Sequence, residues 1–202
     1  MATFRRTRHG ALALDLQSVE ADVLASLARE VLELLDVRGD AAGTAGAQDP
    51  LAIELGLTGL GGGGPVEPPE DEVLARLLPD AYGDDPDASA EFRRFTESSL
   101  RQRKAAAATA LLASLAPVLG QGGRVQLDLA GAQTWLAALN DIRLALGTRL
   151  GVSDDPDDEP DPFADGPDDG EDPEAYAWAV YDFTTHLQET LVQSLSRGRP
   201  SR

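Results

Sequence analysis

The stretch from Gly123 to Val152, GRVQLDLAGAQTWLAALNDIRLALGTRLGV, predicts a short strand that leads directly into a long amphipathic helix. The apolar residues of the helix recur three or four positions apart, which places them on one face. They are Ala132, Trp135, Leu136, Leu139, Ile142, Leu146 and Leu150. A face of this size needs a core to pack against, so we expect this helix to lie at the centre of the fold.

Arg143 lies near that apolar face, with Asn140 and Asp141 close to it in the sequence. An unpaired guanidinium beside apolar side chains carries a large desolvation cost, so Arg143 is expected to pair with a carboxylate or to reach solvent. The candidate carboxylates on other helices are Glu97, Asp182 and Glu189. A structural ion pair is the favoured interpretation of this polar group, and a pocket that binds a phosphate or carboxylate ligand is the alternative.

The beginning of the chain resembles this strand and helix. Phe4 to Thr7 and Ala11 to Leu16 predict a small hairpin, and Ser18 is placed to cap a helix that ends near Arg38. Both units contain Leu-Asp-Leu before or at the helix start, in the same order. Duplication and chance similarity of alanine- and leucine-rich helices both remain open explanations.

The middle of the chain predicts two further helices. A short one covers Glu72 to Leu78 and stops at Pro79, and a turn with Asp80 and Tyr82 follows. Asp85 as cap and Pro86 at the first helical position then open a long helix over about residues 87–116. Together with Arg93 on this helix, Asp80 and Tyr82 are candidate buried polar or interaction residues.

The long helix carries apolar side chains on two sides. Phe92 and Phe95 lie on one side, and Leu111 and Leu115 lie roughly opposite. The helix is therefore either kinked or packed between neighbours, and the small residues at 105–108 favour the second arrangement. The last helix, about 174–196, is also apolar on two sides, and we expect the body of the fold to clasp it.

The net charge is -18, but 12 acidic and no basic residues fall between Asp154 and Glu174. The rest of the chain is only mildly acidic, and the overall field disfavours duplex nucleic acid as a partner. The basic cluster on the long helix is more typical of a solvated, salt-bridged surface than of a phosphate-binding face. Its members are Arg93, Arg94, Arg101, Arg103 and Lys104.

Catalytic and cofactor signatures are absent from the sequence. The chain has no cysteine, which excludes disulfides, thiolate catalysis and cysteine-ligated metals. His9 and His186 lack the acidic neighbours that metal or general-base chemistry requires. No secretory signal and no apolar run long enough for a membrane span is present, so we expect a cytoplasmic protein without cofactors, metals or membrane contacts.

These patterns predict an α+β fold that is mostly α, with about five helices and a small antiparallel or mixed sheet of short strands. We expect a single domain over residues 1–196, with a Gly/Pro-rich loop at 40–70, a disordered acidic insert at 154–174 and a flexible tail at 197–202.

Three separated blocks resemble an actinobacterial family, the domain of unknown function numbered twenty-seventeen. They are LARLLPDAYGDDPDASAEFRRFT (74–96), WLAALNDIRLALGTRLGV (135–152) and YDFTTHLQETLVQSL (181–195). The resemblance covers most of the chain, and it implies a cytoplasmic protein often encoded beside the adaptor of the Clp protease, without an established activity or catalytic residues.

The expected function is a non-enzymatic regulatory or adaptor-like protein that binds another protein, with a link to Clp proteolysis implied by the resemblance alone. The first alternative is an enzyme or small anionic-ligand binder with a pocket around Arg143. The second is a nucleic-acid-binding regulator. The sequence leaves the oligomeric state open.

Overall fold

The computed structural model describes residues 1–7, 10–36, 66–152 and 173–197. Within them lie three strands and five α-helices. The strands are β1 (Arg5–Arg6), β2 (Leu12–Leu16) and β3 (Gly123–Leu127), and the helices are α1 (Ser18–Asp36), α2 (Glu72–Leu77), α3 (Pro86–Leu115), α4 (Leu129–Arg149) and α5 (Pro173–Ser196). The mostly helical α+β class is confirmed. Most of the predicted loop at 40–70 and of the predicted acidic insert at 154–174 lies outside the described residues.

The three strands form one antiparallel sheet in the order β1-β2-β3. Strand β2 is in the middle, and its Leu12, Leu14 and Leu16 are buried because alternate residues of a strand point to the same face. The turn before β3 approaches β2 so closely that a Cβ on Gly122 would lie 2.8 Å from the Leu16 carbonyl oxygen. Gly122 also has a φ of 71°, a conformation that other residues rarely adopt, so only glycine fits at this position.

Helix α4 contacts α1, α2, α3 and α5, so the stretch that defines the sequence pattern is also the centre of the helical layer. Asp128 caps this helix by accepting from the Gly131 N–H at 2.7 Å. Trp135 is buried, its Nε1 donates to the Ser114 hydroxyl of α3 at 2.8 Å, and its ring meets Phe4 edge to face at 5.7 Å. The predicted central role of this helix is confirmed.

Helix α3 is one continuous element of 30 residues that packs against both α1 and α4. The buried side chains of its second half are Ala107, Ala108, Leu111 and Leu115. The small residues therefore allow close neighbours on the inner side, as the alanine run predicts. The first half buries only Ser89 and Arg93 and leaves Phe92 and Phe95 exposed.

Helix α5 packs on α4 and covers the outer edge of β1. Thr190 accepts from the Phe4 N–H at 3.4 Å, and Ser194, one turn later, donates to the Phe4 carbonyl at 3.2 Å. Both groups of Phe4 point away from β2 and would otherwise be unpaired at a sheet edge. The last helix is thus clasped by the fold on this side, while Tyr176 and Val192 are exposed.

Candidate functional site

Three exposed aromatic side chains, one in the turn before α3 and two in the first half of α3, lie close together, and we call them the aromatic face. Tyr82, Phe92 and Phe95 are 51%, 45% and 48% exposed. The rings of Tyr82 and Phe92 meet edge to face at 5.9 Å, and the Arg94 guanidinium lies 4.4 Å from the centre of the Phe95 ring. Contiguous apolar patches on the surface of soluble proteins often mark interaction sites.

Local sequence fixes the turn that carries Tyr82. Asp85 accepts from the Ala88 N–H at 3.0 Å and Pro86 is the first residue of the helix, so the helix start is well defined. The Ser89 hydroxyl donates to the Tyr82 carbonyl at 2.7 Å and accepts from the Tyr82 N–H at 3.1 Å. The turn is therefore held against the helix, and Tyr82 stays beside Phe92.

Arg93 lies between the two phenylalanines in sequence but points inward, where only 5% of its side chain is exposed. Its guanidinium donates to Asp80 at 2.6 Å, to Glu97 at 3.0 Å and to the Leu78 carbonyl at 3.1 Å. Its Nε is buried without a hydrogen-bond partner. The bonds to Asp80 and to the Leu78 carbonyl attach the 78–82 turn to the first half of α3, and the bond to Glu97 lies within α3.

Glu97 extends these contacts to α1. It accepts from Arg101 at 2.8 Å as well as from Arg93, and Arg101 also donates to the Leu35 carbonyl in the last turn of α1. A cation at the carboxyl end of a helix is favourable because the last carbonyls have no partner within the helix. We call Asp80, Arg93, Glu97 and Arg101 the Arg93 network.

The network keeps Glu97 ionised. Burial alone would raise the pKa of Glu97, but the hydrogen bonds from Arg101 and Arg93 outweigh it, and the pKa lies below its usual value. Burial likewise opposes the charge of Arg93, and its bonds to Asp80 and Glu97 more than compensate and raise the pKa of Arg93. Both groups stay charged near neutral pH, so they act as a structural support rather than as a proton donor and acceptor.

A cavity of about 230 Å³ lies beside Phe92, between the turn and α3. Its apolar walls include Leu78, Pro79 and Leu100, and Arg103 lies in its lining. It is smaller than the roughly 300–1,000 Å³ of typical small-molecule sites. It suits a single side chain of a partner better than a cofactor.

A larger cavity of about 470 Å³ lies where the hairpin meets α4 and α5. Its described lining is mainly apolar, including Leu12, Leu129, Leu136 and Leu195, and Arg6 is the one titratable residue in it. General acid–base chemistry needs at least one group that exchanges a proton near neutral pH. The described lining of this cavity supplies none.

Arg143 does not pair with a carboxylate among the described residues, and of its two predicted arrangements only access to solvent agrees with its partial exposure. Its Nε donates to Thr185 at 3.0 Å and its Nη2 to Tyr181 at 3.3 Å, and its Nη1 donates to the amide oxygen of Gln188. It is only half-buried, so neutral oxygens and partial hydration replace the carboxylate that full burial would require. Each nitrogen has a partner on α5, and neither cavity described above includes Arg143 in its lining.

The three polar residues of α4 do not form one site. Asn140 is exposed, and Asp141 is buried and pairs with Lys104 of α3 at 2.5 Å. Arg143 contacts α5 instead. Successive helix positions differ by about 100°, so residues that are close in sequence contact different neighbours. Of the proposed carboxylate partners, Asp182 and Glu189 are exposed and Glu97 belongs to the Arg93 network.

The basic cluster of α3 is largely neutralised. Arg93 and Arg101 pair with Glu97, and Lys104 pairs with Asp141. Arg94 stacks on Phe95, whereas Arg103 is exposed. A continuous cationic surface for a phosphate backbone is therefore absent from this part of the described chain.

Sequence reasoning identified Asp80, Tyr82 and Arg93 as candidates, and the structure brings them together. It did not identify Ser89, the bond between Glu97 and Arg93, or the pairing of Lys104 with Asp141. The four-residue spacing of Arg93, Glu97 and Arg101 was the available signal, because such residues meet on one helix side.

The described residues contain no group of three or more histidine, aspartate or glutamate side chains placed to hold a metal ion. Within the same ranges, no helix is both long and apolar enough to cross a membrane. His186 contacts the Thr3 hydroxyl at 3.2 Å, and His9 lies outside the described residues.

Comparison with known proteins gives one family and several named relatives. The model of a domain of unknown function, DUF2017, matches residues 1–195. The oxidative stress regulator AosR of Mycobacterium tuberculosis (strain H37Rv) and that of Mycobacterium bovis are each 34% identical over 195 residues, which cover 89% of this chain and 80% of theirs. The putative oxidative stress regulator AosR of Mycobacterium leprae is 36% identical over 152 residues, 69% of this chain and 64% of that protein. No solved structure matches.

Proposed function

The chain belongs to the DUF2017 family of actinobacterial proteins, and from this membership and the site described above we propose that it is a non-enzymatic regulatory protein that acts by binding protein through the aromatic face. The regulatory part rests on relatives that are named oxidative stress regulators. The binding mode rests on one observation, the exposed group of Tyr82, Phe92 and Phe95. The proposed location is the cytoplasm.

The aromatic face has the composition of a protein-binding surface. Tyrosine, phenylalanine and arginine are enriched at interfaces because they bury much area, and here Arg94 lies on the Phe95 ring. The Arg93 network fixes the backbone beneath the rings, so little conformational entropy is lost when a partner binds. The small cavity beside Phe92 adds space for one anchoring side chain of the partner.

Regulation by this chain does not use its own thiols. The sequence contains no cysteine, so the common route of oxidant sensing through a thiolate and a disulfide is closed to these 202 residues. The relatives are named oxidative stress regulators. In such a role, this chain would bind a partner rather than react with the oxidant through a thiol.

The two alternative functions have less support. Arg143 is bonded by three side chains of α5, which leaves an anionic ligand without a prepared pocket there. The basic cluster of α3 is paired with Glu97 and Asp141, which removes most of the charge that nucleic acid would need. The resemblance implies a link to Clp proteolysis, so a protein of that system is one candidate for the partner.

A complementation experiment tests the proposal. The gene is deleted in the organism that carries it, and the strain receives either the unchanged chain or the double variant Phe92→Ser/Phe95→Ser. Because both side chains are exposed, we expect the variant to accumulate and fold normally but to leave the strain as sensitive to hydrogen peroxide as the deletion.

The matched control is Val19→Ser, which removes an apolar side chain that is 60% exposed on α1. It should restore full peroxide tolerance. Full tolerance with the double variant would show that the aromatic face is dispensable, and the proposal would then be abandoned.

A further inference from the structure

We propose that α3 pairs with α3 of a second copy of this chain, with the two helices antiparallel and in contact through the side that faces away from the core. This inference rests on the proposed function, because it identifies the protein that occupies the aromatic face. It uses Phe92 and Phe95 as well as the second half of the helix, which the proposed function leaves without a role.

The outward side of α3 has a regular spacing of four and three residues, and we call its members the outer seam. They are Ala88, Phe92, Phe95, Ser99, Gln102, Ala106, Thr109 and Ala113. All are exposed except Ala88, which is half-buried. Alternating steps of four and three residues are the pattern of the contact positions in two-stranded coiled coils. The seam extends over roughly 38 Å of helix axis.

The large and small residues of the outer seam are separated along its length. Phe92 and Phe95 lie in the first half, whereas beyond the central Gln102 the second half has only small residues, Ala106, Thr109 and Ala113. In a parallel pair, phenylalanine would face phenylalanine and alanine would face alanine, so the helix separation could not suit both halves. In an antiparallel pair, each large residue faces a small one, which allows uniform close packing.

The two-fold axis of this pair passes near Leu100 and Arg101. It places Phe92 opposite Thr109 of the partner subunit and Phe95 opposite Ala106 of the partner subunit. Such a contact is isologous and closes on itself, so it forms a dimer and not a fibre. A second copy is therefore favoured over a helix of another protein, because the outer seam itself contains both the large residues and the small residues that pack against them.

Polar groups at the centre of the seam fit the same arrangement. Ser99 faces Gln102 of the partner subunit, and the Ser99 hydroxyl already donates to the Thr96 carbonyl at 2.9 Å. Its oxygen can still accept a bond from the amide of a glutamine. A polar pair within an otherwise apolar seam fixes the register of a coiled coil.

Charge and area set the strength of the pair. No member of the seam is charged, but each copy has a net charge of -18, so the copies repel each other at low ionic strength. One helix pair of this length buries an area near the lower limit of about 1,000 Å² for specific interfaces. We therefore expect a dimer with a dissociation constant of about micromolar that becomes tighter as salt is added.

Cysteine pairs test the arrangement on a clean background, because the natural chain has no cysteine. The full-length variants Ala88→Cys and Ala113→Cys are mixed and oxidised. In the antiparallel pair these positions face each other across the interface, whereas two copies of position 88 lie roughly 38 Å apart along the axis. We expect a covalent dimer from the mixture and none from either variant alone. Disulfide formation in each single variant, with none gained on mixing, would overturn the antiparallel pairing.

Sedimentation of the cysteine-free chain measures the affinity. We expect Phe95→Ser to raise the dissociation constant by about tenfold or more, as for a central interface aromatic residue, while Val19→Ser leaves it unchanged. A chain that stays monomeric at about ten times the expected dissociation constant, or a dimer unaffected by Phe95→Ser, would overturn the inference.

Combined with complementation, sedimentation separates this inference from the proposed function. If the natural chain is monomeric and the double variant Phe92→Ser/Phe95→Ser fails in complementation, only this inference is contradicted. A dimer whose double variant complements fully would contradict the proposed function alone.

Discussion

Arg93 is the residue on which the site depends most. The sequence places it among five basic residues of one helix and also makes it a candidate buried polar or interaction residue, but helical spacing alone does not show that it points inward. That direction depends on the 78–82 turn, which brings Asp80 and the Leu78 carbonyl to the guanidinium. A contact between a loop and a helix is set by tertiary packing, so local pattern alone cannot predict it.

Replacing Arg93 by alanine should lower the free energy of unfolding by about 3–5 kcal/mol, because Asp80 and Glu97 lose their buried partner. Urea denaturation measures the change. The control is Arg103→Ala on the same helix, which is exposed and should stay within about 0.5 kcal/mol of the natural chain. Equal effects of the two substitutions would contradict the structural role of Arg93.

Glu97 should make stability depend on pH. Its folded pKa lies below the usual value, so its stabilising effect is complete above the unfolded pKa of about 4.3 and is lost as the pH falls through the folded pKa. Glu97→Gln should cost about 1–3 kcal/mol at pH 7 and reduce the loss of stability on acidification. Urea titrations between neutral and acidic pH test this. An equally steep acid loss in both proteins would show that Glu97 does not contribute.

Helices and strands could be predicted well where their signals are local. Asp85 and Pro86 mark the start of α3, and the alternating leucines of β2 mark its buried face. The contacts of Arg143 could not be predicted, because they depend on which side of α5 meets α4. Tyr181, Thr185 and Gln188 follow one side of α5, but nothing in their spacing distinguishes a partner for arginine from an ordinary polar surface.

Helix α5 should protect the outer edge of the sheet at Phe4 through its bonds from Thr190 and Ser194. In the double variant Thr190→Val/Ser194→Ala, both groups of Phe4 lose their partners, and we expect a loss of about 1–3 kcal/mol. Amide hydrogen exchange at Phe4 should become faster while exchange within α4 changes little. The control is Thr134→Val, whose hydroxyl bonds only within α4. Unchanged exchange at Phe4 would mean that α5 does not protect the edge.

The whole molecule should not bind duplex DNA even without its acidic segment. Replacing residues 154–174 by a neutral linker of the same length removes 12 negative charges and any competition with phosphate. Because Arg93, Arg101 and Lys104 are already paired, we expect no binding of a random duplex at moderate salt. Fluorescence anisotropy at low and moderate salt tests this, with the natural chain as control. Binding that survives moderate salt would revive the nucleic-acid alternative.

The central claim for the whole molecule is that the aromatic face binds protein in the cell. The most direct measurement places a photo-crosslinking amino acid at Phe92 in the chain expressed in its own organism, with Val19 as the matched exposed position. We predict a crosslinked product of defined mass at Phe92, either a dimer of the chain or a complex with another protein, and none at Val19. Equal crosslinking at the two positions, or none at Phe92, would contradict the claim.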